Sequence, residues 1–393
     1  MFTLAGIFRR FWPGYRAKFR QDIPAAHVRA AEAVLRCRTP EAGMVYYRCG
    51  DCGKVEPHPV SCGHRACNAC GQHHSKEWEA RQKARLLPVP YHMITFTVPS
   101  EFRELFRRHQ KLCYTLLFRE SAGALGDLAA DPQHLGGELG MSGILQTWTR
   151  DLRYHPHIHY LVPGGALTST GWVRPRHPNI LVPAKPLAVR MRNRFRSALK
   201  AAEMIQSPPH GSFTPAGQLL RRCLSQPLPG HRLKLYRSLP HQVWRRPWNA
   251  DAREVGSGER AFEYVARYVQ KTALDASRIT AVDEDSVSFR WTDQESGTAQ
   301  ITKLSGEEFL RRFLQHVLPR GFMRVRHFGW LSAAAKERYT RVRGLLRAGE
   351  AVLRLPDKPE ICCPACGSAM KFLHALRPRA RPPPGIASQA CLT

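Results

Sequence analysis

A chain of 393 residues, 43% of them hydrophobic and 9% aromatic, is long enough for two or three domains and too apolar to be a disordered tail. Lysine and arginine outnumber aspartate and glutamate by 60 to 31, a positive field that fits a polyanionic partner, nucleic acid first. An anionic membrane surface is the competing partner, but no run of 18 apolar residues spans a bilayer and no secretory signal has the right order of regions, so no membrane partner and a reducing, cytoplasmic compartment are expected.

Residues 1–20 mix Phe, Trp and Arg and read as an arm that either packs on the next segment or touches DNA. From Asp22 to about Arg36, the positions Ala25, Ala26, Val28, Ala30, Ala33, Val34 and Leu35 fall near helical spacing, which predicts a helix. The chain's twelve cysteines are clustered, which favours metal binding over a disulfide framework. Cys49-Gly50-Asp51-Cys52-Gly53 is a zinc-knuckle sequence, its glycines permitting the tight turn that aims two thiolates at one ion. A second pair, Cys67 and Cys70, follows after 14 residues, with Cys62 and His64 between as alternative ligands. The expected structural Zn²⁺ site is Cys49, Cys52, Cys67 and Cys70, a closed ribbon with no open position for catalysis. So small a unit has little core, and zinc would supply about 10 kcal/mol of its folding free energy. Arg48, Lys54, Arg65, His73, His74 and Lys76 surround the ribbon and suit a grip on DNA; the alternative is a purely structural clip.

Past Leu86, the stretch His92 to Val98 is β-branched and aromatic between prolines and reads as a strand. Residues 101–130 read as one or two helices with Phe102, Leu105, Phe106, Leu112, Tyr114, Leu117 and Phe118 buried. After a glycine-rich turn, Gly143 to Trp148 and the run from His155 to Val162 make a hairpin, so an α+β domain with a mainly antiparallel sheet is expected. Within that second strand, His155, His157 and His159 alternate and share one face, where two imidazoles can converge on a divalent cation.

Residues 205–258 are rich in proline, glycine and basic residues, among them Lys234, Arg237, Arg245 and Arg246, and read as loops and short strands contacting phosphates. Glu259 to Leu274 reads as a helix that projects Tyr264 and Tyr268 from one face a turn apart. By periodicity alone, Ala261, Tyr264, Val265 and Tyr268 make an apolar stripe that suits core packing. Ser286 to Trp291 alternates as a strand, and Phe309 to Phe322 contains an amphipathic basic helix. Cys363 and Cys366 form half a knuckle with no second pair downstream, and residues 376–393 read as a disordered basic tail.

Five ordered blocks carry a resemblance: Leu86 to Thr97, Leu145 to Trp148, His155 to His159 with Pro163-Gly164-Gly165, Tyr264 to Lys271, and Phe309 to Gly329. Together with the zinc block before them, they resemble the two-tyrosine HUH transposases of rolling-circle insertion sequences, the IS91 type. The resemblance covers most of residues 25–370 and implies an HUH endonuclease domain, an antiparallel sheet flanked by helices, behind a small N-terminal zinc ribbon. It implies Tyr264 and Tyr268 as nucleophiles, His157 and His159 as ligands of Mg²⁺ or Mn²⁺ with an unidentified third ligand, and Arg267 and Lys271 as DNA contacts. The partner implied is single-stranded DNA at the element's termini and at its target, in a prokaryotic nucleoid. The expected domains are 1–85 for arm and ribbon, 86–345 for catalysis and 346–393 for the C-terminal segment. A rolling-circle replication initiator is one rival reading, and a non-catalytic zinc-ribbon DNA-binding protein is the other.

Overall fold

In a computed structural model of the chain, which describes residues 2–70, 72–177, 179–205, 235–260, 262–263, 273–293, 296–350, 352–357 and 360–376, helices flank antiparallel sheets, as the α+β reading expects. The N-terminal arm is helix α1 (Leu4–Lys18), started by Thr3 Oγ1 accepting from the Gly6 N–H at 3.1 Å. Its Leu4, Ile7, Phe8, Trp12 and Tyr15 recur at helical spacing and are buried, so the arm packs instead of presenting its apolar face to DNA. Helix α2 (Ala25–Arg36) occupies the predicted segment. Strands β1 (Met44–Cys49) and β2 (Val55–Pro59) pair around the first cysteine knuckle, and α3 (Gln72–Lys83) follows.

The next elements match the predicted order: β3 (Tyr91–Thr97), α4 (Arg103–Arg108), α5 (Gln110–Ala130), β4 (Gly140–Trp148) and β5 (Tyr154–Pro163). After the two-residue strands β6 (Ala166–Leu167) and β7 (Trp172–Val173) comes α6 (Ala184–Ile205), a helix not anticipated from sequence. Its many arginines mask the signal, but Leu187, Met191, Phe195, Leu199 and Ala202 recur at steps of three or four and are buried, with α5 as its packing partner. Strand β8 (Asn249–Glu254) comes from the stretch expected to be loops and short strands.

Three more strands, β9 (Ile279–Val282), β10 (Ser286–Thr292) and β11 (Ala299–Ser305), form a separate antiparallel sheet. Helix α7 (Gly306–Leu314) follows, capped by Ser305, and lies against α1. It supplies the amphipathic helix read in the Phe309 to Phe322 run; beyond it Gln315 to Leu318 turn inward, with His316 and Val317 buried, ahead of Pro319. Then come β12 (Val325–Gly329), α8 (Lys336–Leu345) and β13 (Met370–Leu376). Strand β13 pairs antiparallel with β1 from the N-terminal ribbon, and the stretch read as a basic tail lies, after Leu376, outside the described residues.

The central sheet has the order β12-β4-β5-β3-β8. Because side chains alternate along a strand, Ile158, Tyr160 and Val162 of β5 and Ile94 and Phe96 of β3 enter the largest core, with α5 and α6. The opposite face carries His157, His159 and Leu161 of β5, Tyr91, Met93 and Thr95 of β3, and Ile144 and Gln146 of β4. Among the described residues no helix is long and apolar enough to cross a membrane.

Candidate active site and metal centres

On that opposite face lies a cleft of about 650 Å³ between the central sheet and the β9–β11 sheet. His155, His157 and His159 line it, as the alternation along β5 predicts. The His157 and His159 ring centroids are 4.9 Å apart, with the rings nearly perpendicular at 85°. His157 Nδ1–H donates to the His155 carbonyl at 2.7 Å, which leaves Nε2 with a free lone pair. His159 lies between two neighbours on flanking strands: Thr95 Oγ1 is 2.9 Å from Nδ1, and Gln146 Oε1 is 3.2 Å from Nε2. The register explains this, since Thr95 sits opposite His159 across the β3–β5 ladder and Gln146 opposite His157 across β4–β5.

The Gln146 amide cannot be turned round. Its NH₂ donates to the Trp148 carbonyl at 3.1 Å, so the oxygen is the end that faces His159. Burial holds His157 well below the usual imidazole range, with His159 beside it adding to the effect. Burial, and then the Arg253 charge, push His159 down to about 4. Both rings are therefore neutral near pH 7, the form that binds a metal. Donors at cis positions around a metal at about 2.1 Å are separated by roughly 3 Å, close to the 3.2 Å between His159 Nε2 and Gln146 Oε1. Two neutral imidazoles and an amide oxygen thus fit a divalent cation. Among the described residues, no third histidine, cysteine or carboxylate forms a tight ligand group with the two histidines.

The rim is cationic. Arg150, Arg253, Arg278 and Arg290 line the cleft, and Asp251 is the one carboxylate among its described lining residues, 3.6 Å from Arg253. Arg278 Nε donates to the Arg290 carbonyl at 2.8 Å and its Nη2 to the Arg150 carbonyl, while Arg150 Nη1 donates to the Thr292 carbonyl at 3.0 Å. These bonds hold the β9–β11 sheet against the tip of the β4–β5 hairpin. Trp291, partly exposed, adds an aromatic face, while Trp148 is buried at the cleft's floor.

Tyr264, Tyr268, Arg267 and Lys271 lie outside the described residues. The positions flanking them are fixed. Phe262 is buried against Tyr91 and Trp78 at the Leu161 end of the histidine face, and Glu263 pairs with Lys83 at 2.8 Å. Ala273 and Leu274 are buried in the cluster that holds Trp148, at the opposite end.

The cysteine set read from sequence needs correction. Cys49, Cys52, Cys67 and Cys70 do not come together; the two pairs belong to two separate groups of four. One is Cys37, Cys62, Cys67 and Cys70, with Sγ–Sγ distances of 3.3 Å for Cys37–Cys70 and 3.5 Å for Cys62–Cys70. The other is Cys49, Cys52, Cys363 and Cys366. His64, an alternative ligand by sequence, is outside both, and its Nδ1 accepts from the Ala66 N–H at 3.1 Å. Cys37 went unnoticed because it stands alone at the end of α2 with no partner at knuckle spacing. The cysteine groups fit structural Zn²⁺. Arg65 fastens the first group's loop to the protein body, donating to the carbonyls of Phe322 at 2.7 Å and Pro319 at 3.2 Å.

Comparison with known proteins identifies the family. A family model described as "Putative transposase" matches residues 140–338, and one described as "Transposase zinc-binding domain" matches residues 7–98. The chain is similar to "Putative transposase y4qJ" of Sinorhizobium fredii, 32% identical over 338 residues that cover 85% of this chain and 81% of that one. It is also similar to "Transposase for insertion sequence element IS801" of Pseudomonas savastanoi pv. phaseolicola, 27% identical over 78% of this chain and 70% of the relative. No solved structure matches.

Proposed function

The chain belongs to the IS91-type transposases that carry an N-terminal zinc-binding domain, and on that premise we propose that it nicks and rejoins single-stranded DNA at the ends of an insertion sequence through a 5′-phosphotyrosine. The observation that carries this reading is the pair His157 and His159, neutral and facing a cationic cleft beside Gln146.

Tyr264 and Tyr268 are the nucleophiles in this reading. One phenol loses its proton, its oxygen bonds to the scissile phosphorus, and the bond from phosphorus to the 3′ oxygen breaks. The departing oxygen takes up a proton, leaving a free 3′-hydroxyl and a 5′-phosphotyrosine that keeps the bond energy for rejoining. Mg²⁺ or Mn²⁺ held by His157, His159 and the Gln146 amide oxygen would polarise the phosphate and offset the charge that develops on it. Arg150, Arg253, Arg278 and Arg290 hold the neighbouring phosphates, with Arg267 and Lys271 as further clamps. Trp291, partly exposed at the cleft, offers a stacking face to an unpaired base, which favours a single strand over a duplex. The positions of Phe262 on one side of the histidines and of Ala273 and Leu274 on the other support placing the tyrosine segment at this face.

A covalent-adduct assay tests the proposal. Single-stranded oligonucleotides carrying the element's end, incubated with Mg²⁺ or Mn²⁺, are expected to yield a protein–DNA adduct that Tyr264→Phe with Tyr268→Phe abolishes. An adduct that survives in the double variant, or its absence from the unmutated chain, refutes the reading.

A further inference from the structure

The match to a transposase zinc-binding domain spans residues 7–98 and takes in six of the eight clustered thiols. Cys363 and Cys366 fall outside it, Cys363 being 311 positions from Cys52. We propose that Cys49, Cys52, Cys363 and Cys366 hold a second zinc ion, independent of the first, that clasps the C-terminal strand β13 onto the N-terminal ribbon.

The sulfur geometry is that of a metal site. Cys49–Cys366 and Cys52–Cys363 are each 3.5 Å apart and Cys52–Cys366 is 3.7 Å. Four thiolates at about 2.3 Å from a tetrahedral zinc stand roughly 3.8 Å from one another, whereas disulfide sulfurs stand about 2 Å apart. The two halves are also built alike. Each is Cys-x-x-Cys-Gly, with the glycine in the left-handed region, φ 71° at Gly53 and 78° at Gly367. In each, the first cysteine's N–H bonds to the carbonyl five residues on: Cys49 to Lys54 at 2.9 Å, and Cys363 to Ser368 at 2.8 Å. Two matching knuckles face each other across one point, although the chain between them builds the whole transposase body.

The β13-β1-β2 sheet has little else to hold it. Its buried apolar cluster is Cys49, Cys363 and Met370, with Tyr47 and Ile361 packed alongside, while Phe372, Leu373 and Leu376 of β13 are exposed. A sheet with so small a core depends on its metal for stability.

Zinc content and thiol accessibility of the full chain test the clasp. Two zinc ions per chain are expected, falling to one in Cys363→Ser/Cys366→Ser and to one in Cys62→Ser/Cys67→Ser. The unmutated, zinc-loaded chain supplies the second measurement. Cys362 is exposed, adjoins Cys363 and belongs to neither group, so it is an internal standard. Under N-ethylmaleimide, read by peptide mass spectrometry, Cys362 should label fast while Cys49, Cys52, Cys363 and Cys366 stay protected and then become reactive together as a chelator is added. One zinc per unmutated chain overturns the proposal. So does labelling of Cys366 at the rate of Cys362 while Cys67 and Cys70 remain protected, and no folding defect of a variant can imitate that result. Neither readout depends on DNA cleavage, so failure of the clasp and failure of the strand-transfer reading are distinguishable.

Discussion

Replacing Thr95 with valine should weaken divalent-metal binding while leaving the sheet intact. Valine matches threonine in shape and is at home in a strand, so β3 keeps its packing. What is lost is the hydroxyl 2.9 Å from His159 Nδ1. A His159 ring that binds a metal through Nε2 carries its proton on Nδ1 and donates it to Thr95 Oγ1. Removing that acceptor takes away the partner that orients a ring only 7% exposed. Loss of such a partner costs a metal-ligating histidine roughly 10- to 100-fold in metal affinity. The dissociation constant for Mn²⁺, read from the electron paramagnetic resonance of the free ion, is therefore expected to rise by about 10- to 100-fold in Thr95→Val. His159→Ala serves as the reference in which the site is lost. If Thr95→Val binds Mn²⁺ as the unmutated chain does while His159→Ala binds none, the ring is not held for metal binding through Thr95, and the argument fails.

Two further predictions concern packing around the central sheet. His316 is buried beside Trp148, donates from Nε2 to the Leu152 carbonyl at 3.3 Å and accepts from Thr147 Oγ1 at 3.2 Å; burial pushes it down to about 3. The unfolded chain takes up this proton near pH 6.5 and the folded chain does not, so stability is complete above 6.5 and falls as pH drops toward 3, by about 1.4 kcal/mol per unit. Urea denaturation at pH 7 and pH 5 should show His316→Gln losing about 2 kcal/mol less than the unmutated chain; equal losses would refute the assignment. At Gly329, φ is 58° and an added Cβ would lie 1.7 Å from the Leu139 carbonyl oxygen, a backbone atom at the start of β4 that cannot swing away. Gly329→Ala is expected to cost roughly 2–5 kcal/mol, the sum of left-handed strain and overpacking, seen as a lowered thermal midpoint, and an unchanged midpoint would contradict this.

Local pattern made much of the fold legible. The strands at 91–97 and 154–163, the helices of residues 103–130 and the β4–β5 hairpin follow from periodicity and turn signals that act over a few residues. Helix α6 did not show, because six basic side chains between Ala184 and Ile205 obscured its buried stripe. The amphipathic basic helix read within Phe309 to Phe322 is present and ends at Leu314, after which His316 and Val317 are buried by turning inward ahead of Pro319.

The sequence by itself determined which residues could bind metal. The period of two in a strand puts His157 and His159 on one face whatever surrounds them, and each Cys-x-x-Cys-Gly aims two thiolates at one point through its own turn. Only the tertiary structure decided what completes each site. Thr95, Gln146 and Asp251 reach the histidine face through strand register, and register depends on how distant segments pack. The knuckle at Cys49 and Cys52 is completed by Cys363 and Cys366, and the pair at Cys67 and Cys70 by Cys62 and the solitary Cys37. Proximity in sequence favoured joining the two neighbouring pairs. A knuckle presents two ligands and needs two more, and no spacing rule says whether they come from the next turn or from the far end of the chain; that is fixed by where the fold brings β13.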